Sequence, residues 1–216
     1  MSNRRQLFLL WVLCAGTAIA EAEAPDPVEQ IGRAESLYRS APSFQATGRA
    51  VMHVIRLEAG EETRMEAVFE MRLARPFFYR IVWRDSGPDA EPAGVVWNDG
   101  EGPRCYLRAR QAYTTFASDC LALSFTAGTS LGISKVLPSI FFPPGEDGNI
   151  LRKLRSIESL GRERRRSVNC YRVGGTLGNG IGYQFWLATN DLGIVEFENT
   201  LGGAPDQPRE TGIHLA

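Results

Sequence analysis

The chain has little of what most metal and cofactor chemistry needs. His53 and His214 are its only imidazoles, and no CxxC pair occurs in its 216 residues. A tetrahedral nitrogen and sulfur site needs about four such ligands close together, so no metal is expected. The glycine-rich stretch Gly174–Gly182 lacks a Gly-Lys-Ser/Thr ending, and strands rather than a helix are expected around it. It therefore reads as a hairpin loop and not as a phosphate cradle, and no cofactor is expected. No apolar run approaches the roughly 20 residues of an ordinary membrane-spanning helix. Neither sign of charge is in excess, the formal net charge being −1, which speaks against a nucleic-acid partner. No internal repeat is visible.

The N-terminus reads as an export signal. Arg4 and Arg5 precede a short apolar core, Leu7 to Ala15, and Ala18-Ile19-Ala20 offers small residues for cleavage. Residues 1–20 are expected to be removed, leaving 21–216 as a single domain outside the cytoplasm. Cys14 follows Val12-Leu13 instead of the small residue that a lipid-anchoring site wants, so no lipid anchor is expected. Three cysteines remain. Cys105 and Cys120 bracket the Tyr106–Phe116 hairpin and are the expected disulfide, with Cys170 on a strand that could also reach either.

Strand periodicity dominates the chain. Met65, Ala67, Phe69, Met71 and Leu73 alternate with Arg64, Glu66, Val68, Glu70 and Arg72, which predicts an antiparallel strand wetted on one face. The preceding segment puts Phe44, Ala46, Gly48, Ala50, Met52 and Val54 on one face, and the following one Tyr79, Ile81 and Trp83. Further strands are expected over Gly94 to Trp97, Arg104 to Ala109, Ala112 to Phe116, Leu151 to Ser159, Val168 to Gly174, Tyr183 to Ala188, Ile194 to Asn199 and Thr211 to Leu215. Asp26-Pro27-Val28-Glu29 predicts a helix start, with Val28, Ile31, Ala34, Leu37 and Tyr38 on its apolar side and an end by Ser40. Leu131 to Phe141 predicts a second short helix, interrupted at Pro138. The fold class is mainly β with α: one curved antiparallel sheet of about ten strands, an unclosed barrel lidded by short helices.

Gly128-Thr129-Ser130-Leu131-Gly132 matches the G-x-S-x-G pattern of a nucleophile elbow, followed in order by Asp191 or Asp206 and by His214. That mechanism needs a strand-to-helix turn in a parallel sheet, whereas the flanks here alternate as hairpins. The competing reading is a glycine loop leading into the inserted helix. Arg162, Arg164, Arg165 and Arg166 form a basic cluster read as a solvated turn.

The order of features resembles the periplasmic lipoprotein carriers and receptors of the LolA-like and LolB-like family. The matching pieces are the short helix ending in Tyr38-Arg39-Ser40-Ala41-Pro42, the Leu73-Ala74-Arg75-Pro76-Phe77-Phe78-Tyr79-Arg80 stretch, the Asn98-Asp99-Gly100 turn and the Phe185-Trp186-Leu187 … Leu192-Gly193-Ile194-Val195 hairpin. Ala74 departs from the basic residue usual there. The resemblance implies a periplasmic, non-enzymatic monomer that holds lipid or lipoprotein acyl chains in an apolar cavity for transfer to the outer membrane. It implies a membrane-protein donor and acceptor as partners. The expected cavity wall is Met65, Phe69, Met71, Tyr79, Ile81 and Trp83, with Phe141 and Phe142 on the lid. An exported serine hydrolase using Ser130 and a non-catalytic structural or sensor domain of the envelope are the alternatives.

Overall fold

A computed structural model describes residues 25–56, 61–87, 90–142, 149–202 and 208–215. The expected export signal, the turn around Gly60, the Pro143-Pro144-Gly145 break and Asp206 lie outside the described residues.

The chain opens with α1 (Pro27–Ser40), capped by the Asp26 carboxylate, which accepts from the Val28 N–H at 2.8 Å. Pro27 takes the first helical position, where its missing N–H costs nothing. The buried side is narrower than the apolar pattern suggests. Ile31, Ala34 and Tyr38 are inside together with Gln30, while Val28 and Leu37 are exposed.

Eleven antiparallel strands then form one sheet. They are β1 (Ser43–Arg56), β2 (Glu61–Ala74), β3 (Phe78–Asp85), β4 (Pro92–Asn98), β5 (Arg104–Leu107), β6 (Ala112–Thr115), β7 (Arg155–Arg165), β8 (Val168–Thr176), β9 (Gly182–Ala188), β10 (Ile194–Gly202) and β11 (Pro208–Leu215). The spatial order is β6-β5-β4-β3-β2-β1-β11-β10-β9-β8-β7. The last strand thus returns to pair with the first, Gly48 opposite Leu215 through Val54 opposite Arg209. Two meanders are thereby joined in the middle, with β6 and β7 as free edges, and the sheet curls without closing.

The alternation read in the sequence sets the faces. Phe69 pairs with Trp83, Met71 with Ile81 and Leu73 with Tyr79, all buried on the concave side. Ala50 and Ile213 continue that face across the junction, and Phe197 and Phe185 extend it into the second meander. Trp83 needs a glycine beside it: a Cβ on Gly94, its partner on β4, would lie 2.2 Å from the indole ring.

Helices fill the concavity. The insert between the meanders is a helical hairpin, α2 (Asp119–Ala127) and α3 (Ile133–Phe141), followed by the one-turn α4 (Ile150–Lys153). Four expectations are corrected here. Helix α2 has no counterpart in the sequence reading. Pro138 sits inside α3 without ending it. The segment from Leu151 begins as helix, and of the arginine cluster only Arg166 lies in the turn, while Arg162, Arg164 and Arg165 belong to the far end of β7. There Arg165 and Arg172 stack over the outward-facing, fully buried Trp186 at 4.6 and 5.3 Å, and the Trp186 indole N–H donates to Glu163.

Tyr38 ties α1 to the second meander. Its hydroxyl accepts from the Ile194 N–H at 2.9 Å. Burial, opposed by that hydrogen bond and aided by the Asp191 charge, pushes its pKa up to about 12. The unfolded chain ionises this group near pH 10. The folded state therefore keeps its stability up to about pH 10 and loses about 3 kcal/mol from this group as pH rises to about 12. Urea unfolding between pH 9 and 12 should show that decline, and Tyr38→Phe should flatten it. An unchanged slope in the variant would contradict the assignment.

Candidate functional site

The helical hairpin is rooted at one end of the barrel, and its turn lies toward the other. At the root, the Arg75 guanidinium donates to four carbonyls: Ala41 at 3.0 Å, Tyr38 at 3.2 Å, Arg39 at 2.6 Å and Phe141 at 2.7 Å. It also lies 4.7 Å from the centre of the Phe141 ring. One cation thus satisfies the exposed carbonyls at the C-terminal ends of both α1 and α3, where the helix dipoles favour positive charge. The other root, the start of α2, is held by Asn98, whose amide donates to the Asp119 carboxylate at 2.8 Å. Burial and the Asp119 charge together push the ionisation of the adjacent Tyr79 upward.

The two helices are joined by a buried hydroxyl cluster. Thr126 and Ser130 each donate to Ser134 Oγ at 3.0 Å, and Ser134 donates in turn to the Leu123 carbonyl at 3.0 Å. Ser130 is fully buried in the turn of the hairpin, where it hydrogen-bonds with Ser134 and the Ala127 carbonyl. Asp191 is engaged elsewhere, accepting from the Gly193 N–H at 2.8 Å. His214 lies on β11 opposite Arg49 and Glu196. The elbow pattern is a helix-to-helix turn, and Asp191 is not among the hydrogen-bond partners of Ser130.

The hairpin tip lies between two hollows at the open end. One, about 560 Å³, is bounded by Trp83, Ala93, Leu107 and Phe125, with Arg108 and Arg110 on its rim. The other, about 470 Å³, runs between the tip and the ends of β1 and β8–β11; its walls include Met52, Leu131, Val136, Leu177, Ile181 and Ile213. Both volumes fall in the range of about 300–1,000 Å³ of small-molecule sites. A larger cleft, about 820 Å³, lies on the opposite face of the sheet, but it is lined by arginines that pair with carboxylates, such as Arg49 with Glu66 at 2.6 Å and Arg84 with Glu70 at 2.7 Å. Its charged, solvent-facing lining does not suit an apolar ligand.

The expected wall residues are partly brought together and partly displaced. Phe69, Met71, Tyr79, Ile81 and Trp83 form one buried patch, covered by the helices, and of these only Trp83 borders either hollow beside the hairpin. Met65 is 39% exposed, at the rim opposite Met52. Phe141 and Phe142 sit at the rooted end: Phe141 lies under Arg75, and Phe142 stacks on Phe77 at 5.2 Å. Both thus belong to the helical cover, at its rooted end. Leu177 and Ile181 were missed because they lie in a loop whose glycines dominate its appearance. Cys105, Cys120 and Cys170 form no disulfide with one another among the described residues. Cys105 is buried on β5, hydrogen-bonded with Thr114, and burial pushes its pKa up.

Neither the family models nor the curated proteins compared with this sequence include a match. Among solved structures, the lipoprotein LppX of Mycobacterium tuberculosis superposes with a TM-score of 0.50 at 9% identity, over 88% of this chain and 93% of that one. LprF of Mycobacterium bovis gives 0.48 at 11%, over 89% and 92%. The LolA superfamily protein NE2245 of Nitrosomonas europaea gives 0.36 at 7%, over 89% and 92%. The chain shares the fold of LppX. At this identity the likeness concerns the fold alone, so what the half-barrel holds has to be argued from its hollows.

Ser130→Ala tests the hydroxyl cluster and the elbow pattern together. The parent should not react with a fluorophosphonate probe, and the variant should lose about 1 kcal/mol of stability in urea, the usual worth of a hydrogen bond. Labelling of the parent that disappears in the variant would show a nucleophile.

Proposed function

We propose that the protein binds the acyl chains of a lipid or lipoprotein on the concave side of its half-barrel and carries them through the periplasm toward the outer membrane. The observation that supports this most is the apolar hollow of about 470 Å³ beside the hairpin tip. It opens at the unrooted end of the cover, where an apolar chain could enter without breaking the Arg75 and Asn98 attachments.

Binding makes and breaks no covalent bond. Each methylene leaving water for the hollow contributes about 0.8 kcal/mol. An outward swing of the α2–α3 tip, pivoting on Phe141 and Phe142, would join the two hollows and uncover the patch of Phe69, Met71, Tyr79, Ile81 and Trp83, with Met65 at its rim. Those residues are then the wall of the loaded state. A donor would load a monomer and an acceptor would unload it, and direction would come from their relative affinities for the chain.

Filling the hollow tests the proposal. Ile181 is half-buried on its rim, so Ile181→Trp should fold with a melting temperature close to the parent's. It should weaken binding of the neutral fluorescent probe N-phenyl-1-naphthylamine at least about tenfold. Equal probe binding by parent and variant would place the apolar site elsewhere, and no binding by the parent would refute it.

A further inference from the structure

The chain contains only two lysines, Lys135 and Lys153, in a sequence whose other fixed cations are all arginine. Both border the same hollow of about 470 Å³. They come from different elements: Lys135 from the first turn of α3, Lys153 from the end of α4. Both are exposed, so they form a cationic rim over an apolar interior. Among the described residues bordering this hollow there is no aspartate or glutamate.

The placement of Lys135 runs against local helix stability. The first turn of a helix favours negative charge, and α1 and α2 follow that rule with Glu29 and Asp119. The first turn of α3 has no acid, and its cap, Gly132, contributes no side-chain bond. The positive helix end and the Lys135 ammonium therefore act in the same direction at one side of the mouth. The other polar side chains bordering the hollow are neutral: Ser139, Asn179, Tyr183, whose ionisation burial pushes upward against a hydrogen bond from Asn199, and Asn199 itself, with an amide oxygen lacking a hydrogen-bond partner.

Resting on the acyl-chain reading above, we propose that this hollow selects amphiphiles with an anionic head. The chain lies against Leu131, Val136, Ile181 and Ile213, and the head stays at the mouth between the ammonium groups of Lys135 and Lys153. A carboxylate and a phosphate monoester both meet this description, because a lysine acts as a point charge toward either.

The test is competition against N-phenyl-1-naphthylamine on the delipidated full-length protein, below micelle-forming concentrations. Three competitors share one palmitoyl chain: palmitate, palmitoyl lysophosphatidate and monopalmitoylglycerol. The anionic pair should compete at about tenfold lower concentration than the neutral glyceride, as two exposed ion pairs would give. That advantage should shrink in high salt. Whichever anion competes better identifies the head as carboxylate or phosphate. In Lys135→Gln/Lys153→Gln the charged and neutral competitors should become equal. Arg33→Gln/Arg80→Gln, which removes two exposed charges that do not border the hollow, should keep the preference. Equal competition by all three on the parent, or a preference that survives loss of both lysines, overturns the headgroup assignment while leaving acyl binding standing. Failure of every competitor and of the probe itself overturns both.

Discussion

Four backbone carbonyls converge on one guanidinium, and the arrangement of the helices follows from that. Arg75 stands at the turn between β2 and β3, where the concave wall is most apolar, and gathers the ends of α1 and α3 against it. Charge-assisted hydrogen bonds to otherwise unpaired helix carbonyls are stronger than neutral ones, and a planar donor can serve several at once. Without this attachment, the Phe141 carbonyl at the end of α3 would lose its guanidinium donor, and α3 would lose its link to the end of α1. The sheet determines where apolar surface exists, and Arg75 determines which end of that surface stays shut.

An asymmetric cover follows. The rooted end carries the polar fastenings of Arg75 and Asn98 together with the aromatic packing of Phe141 and Phe142. The tip has its own hydroxyl cluster, which keeps α2 and α3 together as a unit, and it is flanked on both sides by hollows. The hairpin is thus held together by its own hydroxyl cluster, fixed at its roots by Arg75 and Asn98, and bordered at its tip by the two hollows.

The sequence made the sheet legible because strand alternation is a local signal. The charged face of β2 and its apolar partner could be read residue by residue, and the Asp26-Pro27 start and Arg75-Pro76 turn have local chemistry of their own. Helix α2 was hidden for a physical reason. Its large apolar residues Leu121 and Phe125 are exposed, while the buried positions are Ala122 and Thr126, so its composition and its burial disagree. Gln30 inside α1 and Val28 outside it repeat the pattern on a smaller scale. The site was only half legible. The apolar face of β2 and β3 was visible, but its filling by the hairpin depends on how far the sheet curls. The mouth was invisible because β1, α3, α4 and β8–β11 meet there only after β11 returns to β1.

The central claim is that the concavity holds acyl chains. Native mass spectrometry of the protein purified gently from an envelope fraction tests it most directly. The account predicts a population heavier than the bare chain by the mass of one acyl lipid, lost on denaturation and recovered in the organic extract. A bare mass under those conditions, with no acyl lipid in the extract and none taken up from added vesicles, would contradict it.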